Sequence, residues 1–482
     1  MLKKLSLSVC ILLSTSTLSA SEYSKWLEQQ NQSFYNYKKS LDDEFSEMLK
    51  KQWQEYKTMY KNSEYKKPKP KILPVVKKIK KIPKKDLIKS IKVKPKKIVI
   101  KKELPKSVVI KKFIKKGYIS EKIDFYNQDI KITYDKKFKY DLYSVNNNSI
   151  GDSWKKLSKT DYKSLIKQIN LYTIKYSLND WAKYQLIYKL GKTIYHNKNQ
   201  ANIFTWFIFT KMGYDTKVAY SNNKIYLLAN IKQKLYQVSQ LNINNKKYHI
   251  LTPNGKINIS EAIFTYDSSY KKSKKRLSFD MNKHEIGLFT NIDKKNLDFK
   301  YNNKDYKLTA RYSKDLLSFY KTFPQSQYDL YYKAKNSPAI NNSLLLELKP
   351  LIKGKTELEG VNFLLRFVQT AFAYKTDQEQ FSYEKVFFPE ETIYYPFSDC
   401  EDRSIMFSYL VKNLLGLDVV AVKYDDHMSA AVNFSSKVNG DGFVYHNKRY
   451  IMADPTYINA NVGMTMPIYK KRSFSIINQS LF

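Results

Sequence analysis

Residues 396–404 read Pro-Phe-Ser-Asp-Cys-Glu-Asp-Arg-Ser, and the thiol at their centre decides how the rest of the chain is read. An apolar run follows and closes at Gly416. Ser398 has N-cap chemistry, and Glu401, three residues on, completes a capping-box pattern. Cys400 is therefore expected in the first turn of a helix. Backbone N–H groups there lack intrahelical acceptors and the helix dipole is positive, so the position favours a thiolate. Ile405, Leu410, Val411 and Leu414 continue an apolar face, and Gly416 supplies the residue past the end. Residues 419–422 read as a strand and Asp425-Asp426 as a turn. Residues 428–434 then read as a returning strand with His427 at its mouth. Residues 448–453 form a third strand that delivers Asp454. A thiol at a helix start, a histidine before one strand and an aspartate after another make a nucleophile, base and orienter.

Taken together, Cys-Glu-Asp-Arg-Ser opening a helix, the strand-borne His427 and Ala-Asp-Pro-Thr at residues 453–456 resemble the transglutaminase-like superfamily of papain-like folds. The resemblance spans residues 344–467. It implies that Cys400 is the nucleophile, His427 the general base and acid, and Asp454 the group that orients His427. It also implies a peptide or protein substrate and a thioester intermediate, resolved by water or by an amine; hydrolysis is the preferred expectation. In such families the oxyanion is held partly by the cysteine N–H and partly by a residue upstream. Tyr395 and Gln380, in the aromatic-rich loop 375–397, are the candidates for that second donor; the loop aromatics fit an ordinary core equally well. No cofactor is expected. His196, His249, His284 and His446 have no cysteine or carboxylate cluster at ligand spacing, so no metal site is expected either.

Export follows from the N-terminus. Lys3-Lys4, an apolar stretch at 5–13 and small residues up to Ala20 read as a secretory signal over residues 1–20. The chain has two cysteines, Cys10 and Cys400. Loss of the signal leaves Cys400 alone, and exported proteins ordinarily pair their cysteines or avoid them. The formal net charge of +41 would suit nucleic acid, but no such motif is present. In an exported chain it suits anionic polymers and head groups of the cell envelope. No later stretch is apolar enough for a transmembrane span. The expected location is the periplasm or cell envelope of a bacterium.

Residues 21–65 contain Trp26, Phe34, Tyr37, Leu41, Phe45, Leu49, Trp53 and Tyr56 at mostly three- and four-residue steps, an amphipathic helix. Residues 66–116 mix lysine with proline, valine and isoleucine around only two acids. They read as an extended, self-repelling spacer that contacts anionic surface. Residues 117–293 and 294–482 are globular, and the first is a weak copy of the second. Gly213-Tyr214-Asp215 matches Gly416-Leu417-Asp418, and Asn245-Lys246-Lys247-Tyr248 matches Asn447-Lys448-Arg449-Tyr450. On that alignment Asn197 stands at Cys400, Lys224 at His427 and Thr252 at Asp454, so the first copy loses all three roles. The expected fold is α+β: two papain/transglutaminase-like domains in tandem, the first degenerate, preceded by the helix and the basic linker. The expected function is an exported cysteine peptidase or acyltransferase. The alternative is a non-catalytic envelope binding or scaffold protein.

Overall fold

The computed structural model describes residues 20–77, 92–93, 116–282, 287–288 and 290–478. The expected signal falls almost wholly outside the described residues, as does most of the basic segment 66–116. The chain is α+β, with helices packed on two antiparallel sheets. No helix among the described residues is long and apolar enough to cross a membrane.

The N-terminal helix, Ala20–Lys51, stops well short of residue 65. Trp53 packs against Tyr220 and Tyr266. Strand β1 (Gln54–Tyr56) then pairs with a distant strand, Gln54 opposite Thr265. Tertiary pairing overrides the helical spacing of Trp53 and Tyr56. The aromatic stripe is also used unevenly. Leu41, Phe45 and Leu49 are buried, with Phe45 edge-on to Trp154 at 4.7 Å, whereas Trp26 and Tyr37 are exposed.

A hairpin follows, β2 (Tyr118–Phe125) with β3 (Gln128–Asp135). Helices Asp180–Tyr195 and Lys198–Lys211 then lie side by side. They are followed by β4 (Thr216–Ser221), β5 (Lys224–Asn230), β6 (Gln240–Ile243), β7 (Lys246–Leu251) and β8 (Ile263–Thr265). Their sheet has the order β1-β8-β4-β5-β7-β6. Trp154, Trp181 and Trp206 lie buried within one apolar cluster beneath these elements.

The long hairpin β9 (Ile292–Tyr301) and β10 (Lys304–Ser313) leads to the second unit. Helix Leu344–Ile352 runs through Pro350 rather than ending before it. Proline sits in its last turn, where few following N–H groups depend on continued helix. Thr356 caps helix Glu357–Ala371, exchanging bonds with Glu359 as a capping box. Strands β11 (Ala373–Tyr374) and β12 (Phe397–Ser398) form a short parallel pair. Helix Cys400–Leu414 comes next, followed by β13 (Asp418–Lys423), β14 (Met428–Asn433), β15 (Gly442–Tyr445), β16 (Lys448–Met452) and β17 (Ser475–Asn478). This sheet has the order β15-β16-β14-β13-β17. Val361, Leu364 and Val368 of the helix behind pack with Met406, Leu410 and Leu414 of the cysteine helix and with Val419, Val432 and Ile451 of the sheet.

The two sheets share strand order and register. Thr216 faces Ala229 where Val419 faces Val432, Asn230 faces Tyr248 where Asn433 faces Tyr450, and Gln240 faces His249 where Gly442 faces Ile451. These pairs coincide when Gly213 is laid on Gly416 and Asn245 on Asn447. Both glycines take a positive φ, +88° and +75°, just past the end of a helix. One element differs. In the first unit only His196 and Asn197 separate the two helices, whereas in the second 371 and 400 are joined by the long loop with β11, β12 and two short helices.

Candidate active site

The cysteine helix begins one residue later than the capping-box pattern suggests. Asp399 is the N-cap, Cys400 the first helical residue, and Asp402 accepts the Asp399 N–H at 3.2 Å. Ser398 is not the cap because β12 engages it with Tyr374, and its hydroxyl accepts from Arg403 Nε at 3.3 Å. Arg403 is itself buried and donates to the carbonyls of Gln369 and Phe372, which locks the helix start against the helix behind it.

His427 leads into β14 and Asp454 follows β16, neighbours in the sheet. Their side chains meet at 2.9 Å, His427 Nε2 to Asp454 Oδ2, and both are buried. Thr456 donates its N–H at 2.9 Å and its hydroxyl at 2.7 Å to the other oxygen of Asp454. Burial alone would push the Asp454 carboxyl up. Pairing with His427 and the Thr456 bonds overcome it and hold the carboxyl below its usual range. Gln369, on the helix behind, donates its amide to the carbonyls of Asp454, Tyr457 and Ala460, which fixes the loop that carries the acid. With Nε2 bound to Asp454, the other ring nitrogen of His427 is the free one. Nδ1 is buried and has no hydrogen-bond partner among the described residues. Tyr469 stacks on the His427 ring at 4.7 Å, and its hydroxyl is pushed up by burial, Asp426 and Cys400.

Cys400 is wholly buried and unpaired. Its thiol donates to Glu401 Oε2 at 3.2 Å and lies 3.6 Å from the Tyr65 hydroxyl. The dipole argument for a thiolate is outweighed here. Burial first, then the Glu401 and Asp399 carboxylates, push the Cys400 thiol well above its usual range, and Lys69 offsets only part of that. The site in this state holds a protonated thiol.

Tyr65 ends the stretch expected to be the amphipathic helix, and Lys69 comes from the segment expected to be an extended spacer. That expectation is corrected for its described part. Lys69 is buried, its ammonium 2.5–3.1 Å from carboxylate oxygens of Asp377, Glu384, Asp399 and Glu401. Burial disfavours the Lys69 charge, but Asp377, Asp399, Glu401 and Glu384 outweigh it and hold the ammonium protonated. Two sets of these acids, Asp377-Glu384-Glu401 and Asp377-Asp399-Asp402, bring oxygens close enough to hold a cation. Sequence spacing had no means to find this pocket, because its members lie on the loop, the helix start and the segment that carries Lys69.

Among the described residues the hydrogen-bond partners of Cys400 are Tyr65 and Glu401, not Tyr395 or Gln380. Tyr395 stacks on Phe387 at 4.8 Å and sits edge-on to Phe381, an aromatic knot inside the loop. Its hydroxyl is pushed up to about 12 by burial, with Lys385 opposing. Gln380 lies in the short helix Asp377–Phe381, its N–H bonded to the Thr376 carbonyl. In the first unit, Asn197 caps its helix by accepting from the N–H groups of Asn199 and Gln200. Lys224 is exposed at the start of β5, and the Thr252 hydroxyl donates to the Lys256 carbonyl.

The chain matches no family model, no curated protein and no solved structure.

Proposed function

We propose that residues 294–482 form a thiol-dependent acyl-transfer enzyme of transglutaminase-like type that acts on peptide or protein amides, with hydrolysis preferred. The observation that carries this reading is the buried His427–Asp454 pair, with Nδ1 left unpartnered, at the head of the strand to which the helix opened by the buried Cys400 is bonded, Ser404 hydroxyl to Ser429 carbonyl at 3.0 Å. In the reaction, His427 Nδ1 takes the Sγ proton and Sγ attacks the amide carbonyl carbon. The tetrahedral oxyanion collapses, the C–N bond breaks, and His427 gives its proton to the leaving amine. Water, deprotonated by the same imidazole, then attacks the thioester and restores the thiol; an amine in place of water gives transamidation. Asp454 holds the imidazole with Nδ1 unprotonated and balances its charge once it takes the proton.

Residues 117–293 are read as a degenerate copy of the same domain, supported by the shared strand order and register. Asn197, Lys224 and Thr252 make no catalytic set, so this copy serves packing or binding. Export to the periplasm or cell envelope, and attachment to anionic envelope material through the basic segment, belong to the same reading.

The second reading, a non-catalytic envelope-binding protein, draws on the fully enclosed thiol, whose burial and acidic neighbours disfavour the thiolate. The two separate in the pH profile of iodoacetamide alkylation at Cys400, followed by mass spectrometry in a Tyr65→Ala background that uncovers Sγ. An enzyme requires that adding His427→Ala slow alkylation at pH 7 by about tenfold or more, with Cys400→Ala as the blank. Equal rates with and without His427 favour the binding protein.

A further inference from the structure

The strap formed by residues 61–77 crosses all three elements of the candidate site in sequence order. The N–H groups of Lys66 and Lys67 donate to the carbonyl of Asp425, in the turn that carries His427. Tyr65 places its hydroxyl 3.6 Å from Cys400 Sγ. The Pro70 carbonyl accepts from Tyr374 at 2.6 Å. Further on, Val76 and Pro74 exchange backbone bonds with Ile458, in the loop that follows Asp454. A segment bonded through its backbone to the turn before His427 and to the loop after Asp454, with Tyr65 at the thiol, lies across the site as a bound peptide would.

Lys69 is the anchor of this strap. Its ammonium is enclosed by Asp377, Glu384, Asp399 and Glu401, while Asp402 stands behind them and accepts the Phe387 N–H at 2.8 Å. One ammonium does not balance these acids. Burial and mutual repulsion push the carboxyls of Asp377, Glu401 and Asp402 well up. Asp399 is wholly buried, and its Oδ1 has no hydrogen-bond partner among the described residues. Such a pocket is unfavourable when empty and strongly selective for a cation of Lys69's reach and shape. It is also coupled to the thiol, because Glu401 holds Lys69 with one oxygen and Cys400 with the other.

We propose that the carboxylate pocket beside Cys400 is an alkylammonium subsite of the substrate cleft, filled here by the chain's own Lys69, and that a lysine-bearing peptide takes the strap's place. The proposal rests on the reading of Cys400 as a nucleophile. The strap holds the enzyme latent, since substrate and Tyr65 cannot occupy the space over Sγ together. Release of the strap opens the thiol and the lysine subsite in one step.

The test uses the full chain and reads alkylation of Cys400 by iodoacetamide, which needs no known substrate. Lys69→Met keeps the side-chain length and removes the charge; it should speed alkylation by about tenfold or more by freeing the strap. In that variant, N-acetyl-lysine N-methylamide should slow alkylation saturably, and its Nε-acetylated counterpart should not. Tyr65→Ala, which uncovers Sγ but leaves Lys69 seated, should alkylate faster than the parent yet gain no protection from the lysine probe. It also keeps the test decisive if Lys69→Met does not fold. Protection by both probes alike, protection of Tyr65→Ala, or no acceleration in a folded Lys69→Met overturns the subsite. Failure of the underlying enzyme reading looks different: lysine-specific protection would persist while the uncovered thiol reacted independently of His427.

Discussion

At the residue scale, the site is a contest between burial and pairing, and the outcome differs from group to group. Asp454 is buried but paired with His427 and Thr456, and stays ionised. Cys400 is buried beside acids and stays protonated. Glu390, at the start of the short helix Pro389–Tyr394, shows the same contest away from the thiol. It accepts from the Ser313 N–H and the Ser337 hydroxyl, but its second oxygen is buried with no partner among the described residues. Burial pushes its carboxyl from 4.5 up to about 7. The folded state therefore holds a proton that the unfolded state has released, and stability falls as pH rises from about 4.5 to about 7. Glu390→Gln removes that loss. Relative to the parent, the variant is expected to gain on the order of 3 kcal/mol between pH 5 and pH 8. Urea midpoints at the two pH values check this, and parallel pH dependences would show that Glu390 does not titrate in this range.

At the element scale, the helix Glu357–Ala371 supports the site from behind. Its Gln369 amide is shared among three carbonyls of the acid loop, and Arg366 Nε donates to the Gln369 oxygen at 3.0 Å. Gln369→Ala leaves the Ala460 carbonyl without its donor, while the Asp454 and Tyr457 carbonyls keep the N–H groups of Tyr457 and Ala460. It should cost about 1–3 kcal/mol in urea denaturation and loosen the Asp454 loop. A loss below 0.5 kcal/mol would mean that the loop is held by its other bonds. The long loop between this helix and the cysteine helix is the element that distinguishes the two units. It contributes Asp377 and Glu384 to the ammonium pocket and seats its own aromatics, Phe381, Phe387 and Tyr395, on one another.

At the scale of the whole molecule, the two units share a sheet plan, but only the second carries a thiol, a histidine and an aspartate at the three matched positions. The first unit has a helix cap at the position of Cys400, an exposed lysine at that of His427 and a turn hydroxyl at that of Asp454. Asn197→Cys in a Cys400→Ala background is expected to lose the cap, at about 1 kcal/mol. The introduced thiol should alkylate no faster than free cysteine at pH 7, which mass spectrometry of the labelled protein reads directly. Faster labelling would show a latent base in the first unit. The units are also joined physically: Cys400, Ile405, Ala421 and Met428 belong to the same apolar cluster as Trp181 and Phe323 of the first unit and its connection, and Tyr332 donates to Ser404 on the cysteine helix.

The sequence by itself determined the local order of the site. Hydrophobic spacing with Gly416 marked the cysteine helix, short runs bounded by turn residues marked the strands around His427 and Asp454, and the paired Gly and Asn-Lys turns marked the repeated plan. These are near-neighbour properties, and short-range spacing encodes them. Only the tertiary structure decided what surrounds the thiol. The helix dipole argued for a thiolate until burial and two carboxylates overrode it. The lysine-proline segment read as solvated until four acids from elsewhere in the chain enclosed Lys69. The spacing of Trp53 and Tyr56 read as helix until β8 offered a pairing partner. For Lys69 and for Tyr56 the deciding groups lie hundreds of residues away; for Cys400 the two carboxylates are its sequence neighbours, and the burial that the fold imposes on the thiol decides.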